Sequence, residues 1–173
     1  MSRRLLITGG SGYLGRHIVR RVAAAESASS DAGWEAWRYT TFSADPLGLP
    51  QGAQLDLRDG AAVAQFVTDF APDAIIHTAG SNITPDMAAV IVDGTRHMAA
   101  AAARAGARLV HLSTDSVFGG DRAPYDESAA PAPISDYGRA KTAVEALALA
   151  HSNAVAVRTS LIYGLDEIDN GTA

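Results

Sequence analysis

Four glycines stand close together where an apolar run gives way to a helical pattern, in the segment LLITGGSGYLGRHIVRRVAAA. Three of them, Gly9, Gly12 and Gly15, follow the spacing G-x-x-G-x-x-G. Glycine is unfavourable inside a helix, because it loses more conformational freedom on folding than other residues. Bare backbone at a strand-to-helix turn lets a phosphate group approach the first N–H groups of the helix. The pattern favours a dinucleotide site over a tight turn that binds nothing.

The rest of the chain alternates short apolar runs with longer helical stretches. Several runs, such as LLI, AII and LVHL, are continuously apolar, as expected when helices cover both faces of a sheet. This alternation predicts the α/β class: a doubly wound parallel sheet (a Rossmann fold) in one NAD(P)-binding domain over residues 1–173. We predict six strands, at 4–8, 35–41, 53–57, 74–78, 107–113 and 154–159, and helices at 13–25, 60–70, 86–105 and 136–151.

Composition excludes several classes of function. The net charge is −5 and there is no basic stripe, so we expect no nucleic acid as partner. Cysteine is absent, which rules out disulfides and zinc–thiolate sites and fits a reducing, cytoplasmic location. No run is long enough to span a bilayer, so we expect no membrane partner. The five histidines lack metal-type spacing, which predicts no metal site, and we interpret His77 and His111 as packing residues within strands.

The segment TGGSGYLG resembles the TGxxGxxG motif of the extended short-chain dehydrogenases/reductases. The segments GARLVHLSTDSVFGG, APYDES and PISDYGRAK are similar to those of dTDP-4-dehydrorhamnose reductases and related sugar-nucleotide reductases, and VRTSLIYG matches the segment after the sixth strand of the family. The resemblance covers essentially the whole chain. It implies NAD(P)H-dependent reduction of a 4-keto sugar nucleotide, a small-molecule substrate. The family also includes nucleotide-sugar epimerases and dehydratases and non-catalytic NAD(P)-binding regulatory proteins, which are the alternatives. Its members commonly dimerise, so a homodimer is allowed.

The resemblance also implies which residues contact the cofactor. The segment LDLRD matches the acidic residue after the third strand, and PDAIIHTAG matches the fourth-strand motif. The implied cofactor residues are Gly9, Gly12, Tyr13, Leu14, Gly15, Ser43, Asp56, Leu57, Ala79, Gly80, Tyr137 and Lys141. An acid directly after the second strand would select NAD. This chain has hydroxyl residues there instead, and with Arg16 or Arg38 nearby they favour NADP(H) over NAD(H).

Three residues carry the implied catalysis. YGRAK places Tyr137 and Lys141 one turn apart on the same helix face, and STDSVF aligns Thr114 with the catalytic hydroxyl of the family. The resemblance implies that Tyr137 protonates the substrate oxygen, Thr114 orients that oxygen, and Lys141 lowers the pKa of Tyr137 and holds the nicotinamide ribose. One ammonium about 4 Å away supplies about 4 kcal/mol, enough to lower a phenol pKa by about three units. Asp115 is predicted either to contact substrate or to accept from N–H groups of its turn.

The sequence departs from the family at two places. Many relatives read V-N-V-x-G-T where this chain reads VIVDGT, which puts Ile91 at the asparagine of a proton relay. An apolar side chain cannot relay protons, so we expect proton resupply to differ. Relatives also continue past the sixth strand with a further strand and a C-terminal substrate-binding segment, whereas this sequence stops at Ala173. We expect a fragment, or a partner or oligomer that covers the open sheet edge.

Overall fold

The computed structural model describes residues 3–28, 34–42, 44–80, 87 and 89–163. Its strands are β1 (Arg4–Thr8), β2 (Ala36–Thr41), β3 (Gly52–Gln54), β4 (Ala74–His77), β5 (Arg108–Thr114) and β6 (Ala154–Thr159). Its α-helices are α1 (Tyr13–Ala28), α2 (Gly60–Phe70), α3 (Gly94–Ala105) and α4 (Asp136–Leu149). The strands form one parallel sheet in the order β3–β2–β1–β4–β5–β6, which confirms the predicted doubly wound fold.

Helices cover both faces of the sheet, which explains the continuous apolar strands. In β1, Leu5 and Ile7 pack on one face against Val19 of α1, whereas Leu6 packs on the other face. That second face is covered by the apolar sides of α2, α3 and α4. Because successive strand residues point to opposite faces, all three β1 residues are buried at once.

The third strand is shorter than predicted, because the chain turns early to begin α2. β3 ends at Gln54, so the predicted strand at 53–57 is wrong over its second half. The carboxylate of Asp56 accepts the N–H of Arg58 at 2.9 Å. Asp59 caps α2 by accepting the N–H groups of Ala61 and Ala62, each at 3.0 Å. These turns leave Asp56 and Leu57 in a loop beside the ends of β1 and β2.

The predicted helix at 86–105 is not one continuous α-helix. A π-helical turn at Ala89–Asp93 precedes α3, and most of 81–88 lies outside the described residues. Such turns insert an extra residue and often occur at functional sites. Of the helices in the described ranges, none is both long and apolar enough to cross a membrane.

Candidate cofactor and active site

The glycine turn brings the start of α1 against the end of β1. Gly9 has a φ of +77°, in the left-handed region that favours glycine. A Cβ on Gly15 would overlap the carbonyl oxygen of Gly9, so the close approach needs a bare position there. The N–H groups of Tyr13, Leu14 and Gly15 lie in the first helical turn and have no carbonyl partner within the helix. Together with the helix dipole, these amides form a site suited to an anion.

A groove of about 360 Å³ runs along the carboxyl ends of β1, β2 and β4. It lies where the strand order reverses on the two sides of β1, the position at which doubly wound sheets bind ligands. Six of the predicted cofactor residues line it: Gly9, Gly12, Asp56, Leu57, Ala79 and Gly80. It is also lined by residues that the motifs did not single out, including Ser11, Phe42, Leu55, Arg58, Thr78 and Val90.

The other predicted cofactor residues lie beside this groove or at the far end of the sheet edge. Tyr13 packs its ring against His17, with 4.9 Å between the ring centroids. Leu14 and Gly15 follow it in the first turn of α1. Ser43 lies outside the described residues. Tyr137 and Lys141 lie on α4, at the carboxyl end of β5.

The cation at the groove is Arg58, not the predicted Arg38. The Arg58 guanidinium pairs with Asp56 at 2.8 Å and lies 5.0 Å from the centre of the Phe42 ring. Its hydrogen bond lowers the pKa of Asp56, against the opposing effect of burial. Arg38 instead lies over Phe70, 5.9 Å from the ring centre, in a pocket at the amino ends of the strands. The prediction that Arg38 lies near the cofactor is therefore wrong. The sequence signal that could have identified Arg58 is its position two residues after Asp56 in the segment LDLRD.

The start of α4 brings Tyr137 to Thr114. Ser135 caps this helix by accepting the N–H of Gly138 at 3.0 Å. A Cβ on Gly138 would overlap the carbonyl oxygen of Ser116, so this glycine allows the helix to approach the end of β5 closely. Thr114 lies close enough to the Tyr137 phenol for its hydroxyl to influence the pKa of that phenol. The structure thus brings together two of the three predicted catalytic side chains.

The pKa of Tyr137 moves in the direction opposite to the one predicted. Burial raises it first, the negative charge of Asp115 raises it further, and the Thr114 hydroxyl only partly opposes them. The Lys141 ammonium donates instead to the Leu112 carbonyl, with 2.6 Å between nitrogen and oxygen. The predicted lowering by Lys141 is therefore wrong for this arrangement, and the phenol keeps its proton at neutral pH.

Among the described residues, the Asp115 carboxylate accepts hydroxyls and not the N–H groups of its turn, and its contact with substrate stays a prediction. Its carboxylate accepts the hydroxyls of Thr114 at 3.3 Å and Ser160 at 2.6 Å. It thereby links the end of β5 to the segment after β6.

Lys141 is buried, with 5% of its surface exposed. Burial lowers its pKa to about 8, and the charge of Glu145 partly opposes this. Glu145 is itself held by Arg158 of β6 through two contacts, at 3.0 and 2.8 Å. The amine therefore lies in a buried polar region. Its pKa is low enough for it to lose its charge in mildly alkaline solution.

Ile91 occupies the middle of the π-helical turn beside the groove. It is fully buried, and a Cβ on Gly80 would lie 3.7 Å from its side chain. It offers no polar atom there. In the described ranges, no cluster of three or more His, Asp or Glu side chains is arranged to hold a metal ion.

The family described as "RmlD substrate binding domain" matches residues 3–171. This chain belongs to that family. Among curated proteins it is 32% identical to mouse methionine adenosyltransferase 2 subunit beta over 171 residues, which cover 94% of this chain and 48% of the relative. It is 34% identical to dTDP-4-dehydrorhamnose reductase of Mycobacterium tuberculosis, covering 94% and 51%. The chain thus spans about half the length of the curated relatives it matches.

Solved structures with the same fold include two that hold a nicotinamide cofactor. One is dTDP-4-dehydrorhamnose reductase of Bacillus anthracis in complex with NADP, with a TM-score of 0.74 and 30% identity over 94% of this chain and 55% of that one. Another is the enzyme WbmG of Bordetella bronchiseptica in complex with NAD, with a TM-score of 0.77 and 26% identity over 91% and 53%. These similarities confirm the Rossmann fold and the family predicted from the motifs.

Proposed function

We propose that this chain is the cofactor-binding part of an NAD(P)H-dependent reductase that acts on a 4-keto sugar nucleotide. The observation that carries the proposal is the glycine turn, where a side chain on Gly15 would fill the space taken by the Gly9 carbonyl. The turn presents the first amides of α1 at the end of β1, next to the groove. The names of the similar reductases and the cofactors in the two similar structures support the same conclusion.

The residues present fit a nicotinamide dinucleotide. The amides of Tyr13 and Leu14 would hold the pyrophosphate, because they are unpaired within the helix and lie at its positive end. Asp56 and Leu57 would lie beside the adenine, and Ala79 and Gly80 line the middle of the groove. Tyr137 and Lys141 would hold the nicotinamide ribose.

The chain's own side chains suit protonation of a ketone oxygen. When bound, the reduced nicotinamide supplies a hydride to the carbonyl carbon. Tyr137 holds the proton that the oxygen needs, because burial and Asp115 keep its pKa raised. Thr114, at the end of β5, orients the oxygen by hydrogen bonding. Lys141 lies one turn further along α4 with its ammonium on the Leu112 carbonyl, and it would contribute by binding the nicotinamide ribose.

We propose NADP(H) as the preferred cofactor. An acidic residue at the end of β2 would bind the ribose 2′-hydroxyl and select NAD. Positions 40–42 contain two threonines and no acid. Arg58 lies in the same groove and can exchange its partner Asp56 for a 2′-phosphate, which guanidinium binds well.

We expect Arg58→Met to weaken NADPH binding about tenfold in a fluorescence titration and to leave NADH binding unchanged. Arg122→Met, on the exposed segment before α4, is the matched control, and an equal loss for both cofactors would contradict the 2′-phosphate role.

Two further measurements test the main proposal. Titration with NADPH should enhance nicotinamide fluorescence, and Lys141→Ala should weaken that binding. Reduction of dTDP-4-dehydrorhamnose should fall at least a hundredfold in Tyr137→Phe, because the proton donor is lost, whereas NADPH affinity should fall much less, because Lys141 still holds the nicotinamide ribose. Unchanged fluorescence with the wild-type chain would contradict cofactor binding. Full activity of Tyr137→Phe would remove the phenol from the chemistry only.

A non-catalytic regulatory role is the second candidate. It is favoured by the similarity to methionine adenosyltransferase 2 subunit beta, whose name makes it a subunit of another enzyme, and by the apolar Ile91 at the relay position. NADPH binding without any turnover of the sugar nucleotide would favour this candidate. Cofactor that stays bound through purification would instead favour an epimerase.

We also propose a homodimer that uses α4. Ile134, just before this helix, and Leu149 at its end are 77% and 51% exposed, and a second copy would cover them. Light scattering of the purified chain would measure its mass. The cytoplasmic location, the absence of nucleic acid as partner and the single domain over 1–173 stay predictions from the sequence.

A further inference from the structure

The buried side chain behind Lys141 is a histidine, which the proposed chemistry does not use. His111 in β5 is fully buried, and its Nε2 lies 3.4 Å from Lys141 Nζ. Its Nδ1 is also buried and has no hydrogen-bond partner among the described residues. A buried polar atom without a partner lowers stability, and an apolar side chain would fill the space without that cost. His111 therefore needs another explanation than packing.

The contact with Lys141 fixes the tautomer of His111. A lysine ammonium has donors only, so Nε2 must accept and the proton of the neutral ring must lie on Nδ1. Burial, followed by the positive charge of Lys141, lowers the pKa of His111 to about 3, so the ring stays neutral.

Proton transfer from Lys141 to His111 is strongly unfavourable. The pKa of Lys141 is about 8 and that of His111 about 3, so the proton stays on the lysine amine. His111 is therefore suited to accept a hydrogen bond and not to replace the proton relay that Ile91 interrupts.

His111 is held in place from the next strand. Its ring packs on that of His77 in β4, with 5.5 Å between centroids. His77 is fixed in turn at both ring nitrogens, by Thr8 at 2.7 Å and Thr95 at 3.1 Å. Because both histidine rings are enclosed, the acceptor atom at Nε2 has a defined position.

We propose that His111 is the positioning residue for Lys141. Its Nε2 and the Leu112 carbonyl take two of the three ammonium donors and leave the third for the cofactor. This inference rests on the proposed function, in which Lys141 binds the nucleotide. The other charged groups that face the amine are Glu145, on the same helix, and Arg158 of β6, which holds Glu145.

A double-mutant cycle on NADPH affinity tests the coupling. His111→Leu removes the acceptor with little change in volume, and we expect it to weaken NADPH binding about tenfold, in line with a hydrogen bond to a charged group. His111→Gln keeps an acceptor at the same distance along the side chain and should restore most of the affinity. In a Lys141→Met background, His111→Leu should have no further effect. Equal effects in both backgrounds, or no rescue by glutamine, would overturn the proposal.

A second measurement works without nucleotide and separates this proposal from the proposed function. NMR titration of the lysine ε-methylene group reports the pKa of Lys141 directly, because Lys141 is the single lysine of the sequence. Loss of the acceptor disfavours the charged amine, so His111→Leu should lower that pKa below its wild-type value and His111→Gln should restore it. An unchanged pKa would overturn the positioning role. If the wild-type chain fails to bind NADPH while the pKa responds as expected, the proposed function fails and the placement of the amine stands.

Discussion

The two ends of the candidate site, the glycine turn with its groove and the β5–α4 region, are built from different kinds of atoms. At the glycine turn, backbone amides and bare positions make the site, and its charged pair, Asp56 and Arg58, is more than a third exposed. At the β5–α4 end, buried titratable side chains make the site, with Lys141 at 5% and Glu145 at 4% exposure. The first end depends on local geometry and the second on contacts between distant segments. Substitutions should therefore act through shape at one end and through charge at the other.

We expect the largest effect from Gly15→Ala. The new methyl group would overlap the Gly9 carbonyl and push α1 away from β1, which costs about 1–3 kcal/mol of stability and misplaces the amides of the turn. NADPH affinity should fall at least a hundredfold by fluorescence titration, and the free energy of unfolding should fall by the amount given.

The matched variant at the other end is Gly138→Ala, which would overlap the Ser116 carbonyl. It should destabilise the fold to a similar degree but reduce turnover more than NADPH affinity, because it separates Tyr137 from Thr114. If both glycine variants lose NADPH to the same extent, the two ends are not separable and the comparison fails.

The same contrast explains what the sequence could predict. The glycine spacing, the strand pattern and the YGRAK motif are local, and they located the turn, the sheet and the start of α4. The surroundings of Lys141 come from strands that are separate in sequence, so its contact with the Leu112 carbonyl and the pairing of Arg158 with the neighbouring Glu145 could not be predicted. The predicted lowering of the Tyr137 pKa failed for this reason: residue spacing places Lys141 on the right helix face but does not say which acceptor its ammonium meets.

Removal of Arg158 tests whether buried charges stabilise the β5–α4 end of the site. Arg158→Met leaves Glu145 buried without its cation, and we expect the free energy of unfolding to fall by about 3 kcal/mol. This is the low end for a buried pair, because the Arg158 side chain is 24% exposed. Chemical denaturation at neutral pH measures the effect.

The control is an exposed pair on the same helix. Arg139 and Asp136 have side chains that are 56% and 84% exposed, so Arg139→Met should cost less than about 1 kcal/mol.

Burial raises the pKa of Glu145, but the bonds and charge of Arg158 outweigh it and leave that pKa lowered. The stability from this pair should therefore be complete above the ordinary pKa of glutamate and be lost as the pH falls through the folded-state pKa. Equal losses in the two variants would contradict a buried pair.

The buried histidines His77 and His111 lie between the two ends, and the pH dependence of stability tests their effect. Burial, and after it the neighbouring His111 and Lys141, lower the pKa of His77 well below 6.5. The unfolded chain binds a proton below about pH 6.5 that the folded chain does not, so stability should fall on acidification by up to about 1.4 kcal/mol per pH unit for each histidine. His77→Asn should reduce this slope in denaturation curves between about pH 7 and pH 5, and His151→Gln, at a partly exposed position, is the control. A slope that stays the same in His77→Asn would show that His77 is not a source of it.

The smallest expected effect comes from Asp115, an exposed residue whose negative charge acts on the pKa of Tyr137. Asp115→Asn removes the negative charge that, after burial, raises the pKa of the phenol, so that pKa should fall. Ultraviolet titration of tyrosinate, with Tyr137→Phe subtracted to remove the other tyrosines, measures it. A phenol pKa that does not move would show that burial alone sets it, and the electrostatic character of this end would then be confined to its buried groups.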